Sequence, residues 1–314
     1  PVAVVGGGPV GLTAAAHLVA RGIPFVVLEA GAEVGAAVRQ WGHVAMFSPW
    51  RYTADKVARQ LLETTGWQAP PDDALPTGND LVDRYVAPLG RHPAIAPHVR
   101  LNARVTAIGR KDFDKVRTKG RDEQPFELHL DNGEVIEARA VIEASGTWSR
   151  PNPAGSSGLA VPGERENAAH IAYGIPDVKS GARARYAGKH VVVVGSGHSA
   201  FNVILDLLTL AEQAPGTQVT WVMRRENLAT VWGGGAADAL EARGELGARA
   251  KAAVDSGRLT VLSPYRIRAI AKAGDGLAIT GALRGVESTV NAGEMIVCTG
   301  FRPDLAMLNE IRVT

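Results

Sequence analysis

The N-terminal sequence PVAVVGGGPVGLTAAAHLVARGIPFVVLE, residues 1–29, has the pattern that decides the fold. A β-branched run that includes Val4 and Val5 stops at three consecutive glycines. An apolar segment with the character of a helix follows as far as Arg21, and a second short β-branched run ends on Glu29. The order is strand, glycine-rich turn, helix, strand and acid, which is the order that a dinucleotide-binding βαβ unit requires.

Each glycine of this GxGxxG motif has a physical reason. Gly6 allows the tight turn out of the strand, Gly8 lets the backbone approach a pyrophosphate, and Gly11 lets the helix pack closely on the sheet. The pyrophosphate is expected at the helix N-terminus, where Pro9 fits because its missing N–H costs nothing. The Glu29 carboxylate is expected to bind the ribose hydroxyls of an adenosine and to repel a 2′-phosphate. The first site is therefore predicted to hold FAD or NAD.

A second unit of the same kind begins at residue 190. Four consecutive valines, residues 191–194, have the character of a strand that is buried on both faces. Gly195, Gly197 and Ala200 then form a GxGxxA turn that opens a helix to about residue 211. His198 and Ser199 lie inside this turn and are included in the predicted site.

The strand after the second turn, residues 219–223, ends in Arg224 and Arg225 where the first unit has an acid. Guanidinium groups bind phosphate oxygens in a charge-assisted fork, so this pair suits a 2′-phosphate. The second site is therefore predicted to bind NADPH. Two solvated arginines at a strand end remain the alternative.

An unusual concentration of aromatic residues follows Glu29, in the sequence WGHVAMFSPWRY of residues 41–52. Aromatic residues make up only 5% of the chain. This loop is placed to wall a planar ring, and the equal alternative is that the aromatic side chains cover the edge of the sheet.

Periodicity and turn residues predict the remaining elements and the domain boundaries. Helices are predicted at residues 54–64, 79–89 and 236–253, and a flexible loop at residues 232–235. Strands are predicted at residues 99–108, 126–130, 135–138, 140–144, 259–262, 266–271, 277–280 and 295–298. A change to a proline- and glycine-rich composition predicts the end of a first domain at residue 160.

The composition is that of an ordinary globular protein. The chain has 314 residues, 46% hydrophobic and 21% charged, which predicts about two domains. A formal net charge of +2 predicts neither a nucleic acid nor an anionic membrane as partner. The single cysteine, Cys298, predicts no disulfide and a reducing, cytoplasmic compartment. No metal site is predicted.

With two nucleotide motifs of opposite preference, the sequence resembles the two-dinucleotide-domain flavoproteins, the group that includes thioredoxin reductases and flavin-containing monooxygenases. Two similar strand endings, EASGTW at residues 143–148 and VCTGFRPD at residues 297–304, support the resemblance. It implies an α/β fold with two Rossmann-like domains, in which the NADPH-binding domain is inserted into the FAD-binding domain. The FAD-binding domain is then expected at residues 1–160, the NADPH-binding domain at residues 161–304, and the return to the FAD-binding domain from residue 305.

The resemblance also implies the positions of the cofactors. FAD is expected on the first unit and NADPH on the second, and Val105 is expected to reach the adenine of FAD through its backbone. The expected flavin site is Gly6, Gly8, Pro9, Val10, Gly11, Glu29, Gln40, Trp41, Val105, Ala144 and Gly146. The expected NADPH site is Gly195, Gly197, His198, Ser199, Ala200, Arg224 and Arg225.

The sequence departs from the family pattern in two places. The family completes its FAD domain with a strand that ends in a Gly-Asp pair, and no such pair follows Asp304 here. Either a tail lies outside this sequence or flavin binding is incomplete. The monooxygenase fingerprint F-x-G-x-x-x-H-x-x-x-[FY] is replaced by VPGERENAAHIAY, in which Gly163, His170 and Tyr173 recur at a different spacing.

The chemistry expected from this resemblance is hydride transfer from NADPH to FAD. A dithiol reaction needs two cysteines, so O₂ or a diffusible acceptor is left to take the electrons. The leading hypothesis is a monooxygenase that acts on a small-molecule substrate and O₂, with Ser48 near the flavin and His198 near the nicotinamide. For both residues a purely structural role is an equal alternative, in which Ser48 only starts a turn before Pro49 and His198 only faces the cleft between the domains. Residues 41–52 also look similar to those of arsenic-resistance-associated members.

Two alternatives stay open. The first is an NADPH-dependent flavin reductase or dehydrogenase that passes electrons to a quinone, a metal or a protein. The second is a sensor that binds NADPH without turnover.

Overall fold

The computed structural model describes residues 1–227, 231–232 and 238–312. The chain divides into two compact units: unit 1 comprises residues 1–150 and 303–314, and unit 2 comprises residues 151–302. Unit 2 is therefore an insertion in the sequence of unit 1. The predicted boundaries, residues 160 and 304, lie ten and two residues further along the chain than the ends of these segments. The mixed α/β architecture with parallel sheets confirms the predicted fold class.

Unit 1 contains a parallel sheet and a smaller antiparallel one. Its strands are β1 (Val2–Val5), β2 (Phe25–Leu28), β3 (Val99–Arg100), β4 (Val105–Arg110), β5 (Phe126–Leu130), β6 (Val135–Ala138) and β7 (Ala140–Glu143). Its helices are α1 (Pro9–Ala20), α2 (Ala36–Arg39), α3 (Trp50–Thr53), α4 (Lys56–Glu63), α5 (Gly78–Leu81) and α6 (Ala87–Arg91), with a π-helical segment, Val82–Val86, between the last two. The parallel sheet has the order β3-β2-β1-β7, and the antiparallel sheet has the order β4-β5-β6.

The core of unit 1 forms because the first strand is apolar on both faces. All four residues of β1 are buried, as expected for a central parallel strand. Helix α1 packs Leu12, Ala15 and Ala16, each fully buried, against one face of the sheet. On the other face, the antiparallel sheet contributes Ile108 and Leu128. This packing fixes the glycine-rich turn between β1 and α1.

Unit 2 repeats the arrangement with a larger sheet. Its strands are β8 (Ile171–Tyr173), β9 (His190–Val194), β10 (Gln218–Val222), β11 (Thr260–Leu262), β12 (Tyr265–Ala273), β13 (Gly276–Leu283), β14 (Val286–Ala292) and β15 (Glu294–Val297). Its helices are α7 (Arg183–Tyr186), α8 (His198–Gln213) and α9 (Glu241–Asp255). The parallel sheet has the order β11-β10-β9-β15-β8, and β12, β13 and β14 form an antiparallel sheet.

The two faces of the parallel sheet of unit 2 are covered by different elements, one by helix α8 and the other by the antiparallel sheet. Helix α8 packs Phe201 and Ile204 on the face that carries Val191 and Val193. The antiparallel sheet covers the face that carries Val192 and Val194. Every valine of the predicted run is therefore buried, as a strand covered on both faces requires.

Four elements of unit 2 differ from what the sequence predicts. The sequence predicts neither β8, which has only three residues, nor α7, which has only four, nor β14, which is mostly polar. The helix predicted from residue 236 begins at Glu241, and residues 233–237 lie outside the described residues. Among the helices that the structure describes, none has the length and apolar character needed to cross a bilayer.

The three residues that replace the monooxygenase fingerprint have packing roles in unit 2. Gly163 has φ +82°, and a Cβ there would lie 1.7 Å from the carbonyl oxygen of Ile270. His170 Nδ1 lies 3.2 Å from the carbonyl oxygen of Gly293. The hydroxyl of Tyr173 donates a 2.8 Å hydrogen bond to the buried carboxylate of Glu164. These contacts hold the segment that leads into the second parallel sheet.

Candidate functional site

A cleft of about 870 Å³ lies in unit 1, beside the glycine-rich turn and at the carboxyl ends of β1, β2 and β7. Ligands of open α/β sheets bind outside the carboxyl ends of the strands. Of the residues predicted for the flavin site, all but Gly11 line this cleft: Gly6, Gly8, Pro9, Val10, Glu29, Gln40, Trp41, Val105, Ala144 and Gly146. Residues far apart in the sequence are therefore brought together around one cavity.

The glycine-rich turn of unit 1 has the shape that the motif predicts. Gly6 has φ +105°, and a Cβ there would lie 2.5 Å from the carbonyl oxygen of Ala144. A Cβ on Gly11 would lie 1.9 Å from the carbonyl oxygen of Gly6. Gly11 is therefore not part of the cleft lining, because it packs against the backbone of the turn at Gly6. Gly8 faces open space, with no atom within 4 Å of its Cβ position.

Glu29 is held at the rim of the cleft by two backbone hydrogen bonds. Its Oε2 accepts the N–H of Gly7 and its Oε1 accepts the N–H of Gly31, each at 2.7 Å. The residue is 9% exposed. Two oxygens of a carboxylate offer about four lone-pair sites, so acceptor capacity remains for a ligand. The carboxylate and the open backbone at Gly8 fit the ribose and pyrophosphate of a dinucleotide.

The aromatic segment of residues 41–52 does not act as a single wall. Trp41 lines the cleft, whereas Trp50 is only 1% exposed and belongs to the core of unit 1. Tyr52 is 66% exposed. Ser48 lies in a bend just before Pro49, the N-cap residue of α3, and is not among the residues that line the cleft. A contact between Ser48 and the flavin stays a prediction.

Sequence reasoning missed two contributions to the cleft. The indole Nε1 of Trp148 donates a 2.7 Å hydrogen bond to Oε1 of Gln40, and both residues line the cavity. Asp304 and Met307, from the segment that returns to unit 1, also line it. Trp148 belongs to the strand ending EASGTW, residues 143–148, which is visible in the sequence. Nothing in the sequence indicates that Gln40 is its hydrogen-bond partner.

The second glycine-rich turn, in unit 2, repeats the geometry of the first. Gly195 has φ +131°, and a Cβ there would lie 2.3 Å from the carbonyl oxygen of Cys298. The carbonyl of Gly195 also accepts a 2.6 Å hydrogen bond from the indole of Trp221. Gly197 has no atom within 4 Å of its Cβ position, and Ala200 is fully buried. The open backbone at Gly197 fits a pyrophosphate, as at Gly8.

The polar residues predicted for the second site lie at two places in unit 2, the start of α8 and the end of β10. His198 begins α8, and its ring contacts Phe201 edge to face. Burial lowers the pKa of His198, and the nearby charge of Arg243 lowers that pKa further. The imidazole is therefore neutral at neutral pH. Ser199 follows in the first turn of the helix.

The two arginines at the end of β10 are both exposed. Arg224 Nη1 donates a 3.0 Å hydrogen bond to the carbonyl oxygen of Ser156. The backbone carbonyl of Arg225 accepts a hydrogen bond from the hydroxyl of Ser263. A 2′-phosphate at this position would compete with Ser156 for the Arg224 guanidinium.

Cys298 cannot serve as a nucleophile in this structure. It is 5% exposed, and its thiol donates to the carbonyl oxygen of Gly174. Burial raises the pKa of the Cys298 thiol far above its usual range. The thiolate, which is the reactive form, is therefore suppressed.

Comparison with known proteins decides the family. The family model of the pyridine nucleotide-disulphide oxidoreductases matches residues 3–314. The chain belongs to this family. The finding confirms the resemblance to two-dinucleotide-domain flavoproteins. Homologues in the family use FAD and NADPH, the two predicted cofactors. The similarity to arsenic-resistance-associated members stays a prediction.

Individual relatives of this chain have names that indicate different activities. Indole-3-pyruvate monooxygenase YUCCA1 of Oryza sativa is 30% identical over 206 residues, 65% of this chain and 44% of the relative. A ferredoxin–NADP reductase of Nocardioides is 28% identical over 226 residues, 71% of this chain and 54% of the relative. The chain thus spans about half the length of these relatives.

Solved structures show the same fold. The bacillithiol disulfide reductase Bdr of Bacillus cereus superposes with a TM-score of 0.72, covering 100% of this chain and 81% of that one, at 22% identity. At this identity the similarity shows the fold alone.

Proposed function

We propose that this oxidoreductase is an NADPH-dependent flavoprotein monooxygenase, with FAD in the cleft of unit 1 and NADPH on the glycine-rich turn of unit 2. The observation that carries the proposal is the Glu29 carboxylate, fixed by two N–H groups at the rim of the cleft. A carboxylate in that place accepts ribose hydroxyls and repels a 2′-phosphate. The arginines of unit 2 have the opposite preference.

The chemistry that FAD would supply when bound is the transfer of two electrons from NADPH to O₂, which with one proton gives NADP⁺, water and a substrate that carries the second oxygen atom. The residues of this chain supply binding and shielding. The first turn of α1 would bind the pyrophosphate through backbone N–H groups, and Glu29 would orient the ribose. Trp41 and the hydrogen-bonded pair of Gln40 and Trp148 would exclude water from one side of the cleft.

The choice of O₂ as acceptor rests on two supports. The 314 residues contain one cysteine, and that thiol is buried, so this sequence has no pair of cysteines that could accept the electrons as a disulfide. The relative at 30% identity is named as a monooxygenase. A small substrate that accepts an oxygen atom, such as a soft nucleophile or a ketone, is the class that this chemistry serves.

A reductase that delivers electrons to a carrier is the second candidate, because four of the relatives are ferredoxin–NADP reductases.

The experiment that separates the monooxygenase from the reductase adds NADPH to the purified, FAD-loaded protein and records NADPH oxidation with O₂ uptake. The proposal expects O₂ uptake equal to NADPH oxidation and an oxygenated product from a thioether or ketone. NADPH oxidation that needs an added acceptor and consumes no O₂ would establish the reductase. Colourless protein that gains no flavin spectrum would indicate the sensor.

A further inference from the structure

A second cavity, a groove of about 390 Å³, lies in unit 2 against its antiparallel sheet. Three arginines line it: Arg266 and Arg268 from β12, and Arg284 from the turn between β13 and β14. Glu226 and Pro264 also line it. We call this cavity the arginine groove.

The arginine groove has an excess of positive charge. Arg266 and Arg268 are exposed, whereas Tyr265 and Ile267, the residues before each of them, are buried. Within the described part of the chain, none of the three arginines forms an ion pair with a carboxylate. Like charges gathered around one cavity repel one another, and a bound anion would relieve that repulsion.

Arg284 stands at a position that ordinarily favours another residue type. Its φ is +50° and that of the following Gly285 is +88°, the left-handed pair of a two-residue hairpin turn, where asparagine or glycine is preferred. Arg284 also donates from its Nε to the carbonyl oxygen of Ser263 at 3.4 Å. The turn thus holds a bulky cation at the groove.

The arginine groove begins where β10 ends. Ser263 donates its hydroxyl to the carbonyl of Arg225, and the next residue, Pro264, lines the groove. Glu226 lines it directly after Arg225. The backbone N–H of Tyr265 donates a 2.8 Å hydrogen bond to the carbonyl of Met223. The groove therefore adjoins the strand end at which the 2′-phosphate is expected.

We propose that Arg266, Arg268 and Arg284 bind the 2′-phosphate of the adenosine end of NADPH and so determine the preference for NADPH over NADH. This inference rests on the proposed function, which assigns NADPH to unit 2 through Arg224 and Arg225. Arginine forks match phosphate oxygens, and a phosphate monoester is the group that distinguishes the two cofactors. Glu226 weakens the same binding by repulsion, which keeps the phosphate exchangeable.

The test is calorimetric binding of 2′,5′-ADP and 5′-AMP to the purified protein, since the two probes differ only in the 2′-phosphate. The Arg266→Ala/Arg268→Ala protein and the Arg284→Ala protein are each expected to bind 2′,5′-ADP about tenfold more weakly, the usual loss for a charge-assisted contact. Binding of 5′-AMP should stay unchanged. Glu226→Gln should bind 2′,5′-ADP more tightly. Arg249→Ala, an exposed arginine of α9, is the matched control.

The outcomes separate this inference from the proposed function. Loss of 2′,5′-ADP binding in the groove variants but not in Arg249→Ala supports the inference. Equal binding of 2′,5′-ADP by wild type, groove variants and control overturns it. If Arg224→Ala with Arg225→Ala alone removes the preference for 2′,5′-ADP, the proposed function stands without the arginine groove. If wild type binds 2′,5′-ADP and 5′-AMP equally, the assignment of NADPH to unit 2 is wrong.

Discussion

The backbone N–H of Gly7 donates a 2.7 Å hydrogen bond to Oε2 of Glu29, 22 residues further along the chain. This bond ties the glycine-rich turn to the end of β2, so that the turn and the acid form one rigid rim. The second carboxylate oxygen is fixed in the same way by the N–H of Gly31. A ligand that uses both the turn and the acid meets them already in place, which lowers the entropy cost of binding.

Replacing Glu29 with glutamine tests this rim. The amide retains one oxygen and presents an NH₂ group to the N–H of Gly7 or Gly31, so one of these hydrogen bonds is lost. We expect a free energy of unfolding lower by about 1–3 kcal/mol and FAD binding weaker by about tenfold. Chemical denaturation and flavin fluorescence titration measure the two effects. Glu63→Gln, on an exposed residue of α4, is the control and should change neither; equal losses in both variants would contradict the role of Glu29.

Two glycines of the same motif should respond differently to alanine. Gly11→Ala places a Cβ 1.9 Å from the carbonyl oxygen of Gly6, and we expect a loss of stability of about 3 kcal/mol or more. Gly8→Ala meets no atom within 4 Å, so the protein should fold normally. Its added methyl group blocks the approach of a pyrophosphate, and FAD affinity should fall. Thermal unfolding with FAD titration distinguishes the two variants; unchanged FAD binding by Gly8→Ala would be evidence against a pyrophosphate at the turn.

Replacing both Arg224 and Arg225 with alanine tests the nucleotide preference of unit 2. Both side chains are exposed, so folding should be unaffected. Removing two cations from the neighbourhood of a 2′-phosphate is expected to raise the KM for NADPH by at least about tenfold. The KM for NADH should change little. Steady-state kinetics with both nucleotides supply the measurement. Equal changes in the KM for NADPH and the KM for NADH would contradict the assignment of NADPH to unit 2.

The two glycine-rich turns also show what sequence could predict and what it could not. The motifs at Gly6 and Gly195 predicted both βαβ units, because local spacing dictates the turn. The position of Ser48 outside the lining of the cleft could not be predicted, because a place in the sequence after a strand does not say which way a loop folds back. The hydrogen bond of Trp148 to Gln40 and the arginine groove depend on pairing between distant segments, which no local pattern encodes.

The buried Glu164 offers a test of stability away from the cofactor sites. It is 1% exposed and accepts hydrogen bonds from the N–H groups of Ala154 and Val161 and from the hydroxyl of Tyr173. Tyr173→Phe removes one donor to a buried carboxylate and should lower the free energy of unfolding by about 1.5–3 kcal/mol. Urea denaturation measures the change. Tyr52→Phe, on an exposed ring, is the control, and an equal effect of both variants would contradict a stabilising role of the Tyr173 hydroxyl.

His198 should make the protein less stable in acid. Burial, followed by the charge of Arg243, lowers its pKa in the folded state, whereas an unfolded histidine titrates near about 6.5. Below that pH the unfolded chain binds more protons, so stability falls as the pH decreases. The free energy of unfolding of wild type should therefore drop more between about pH 7.5 and pH 5 than that of His198→Asn. Identical pH profiles would contradict the neutral state of His198; His129→Asn, on an exposed histidine, should follow wild type.

The most direct test of the account is a crystal structure of the protein with FAD and NADP⁺. The account predicts that the adenosine ribose of FAD contacts the Glu29 carboxylate in the cleft of unit 1, and that the NADP⁺ pyrophosphate lies at Gly197 in unit 2. The reverse placement, or a cleft at Glu29 that binds neither molecule, would contradict it.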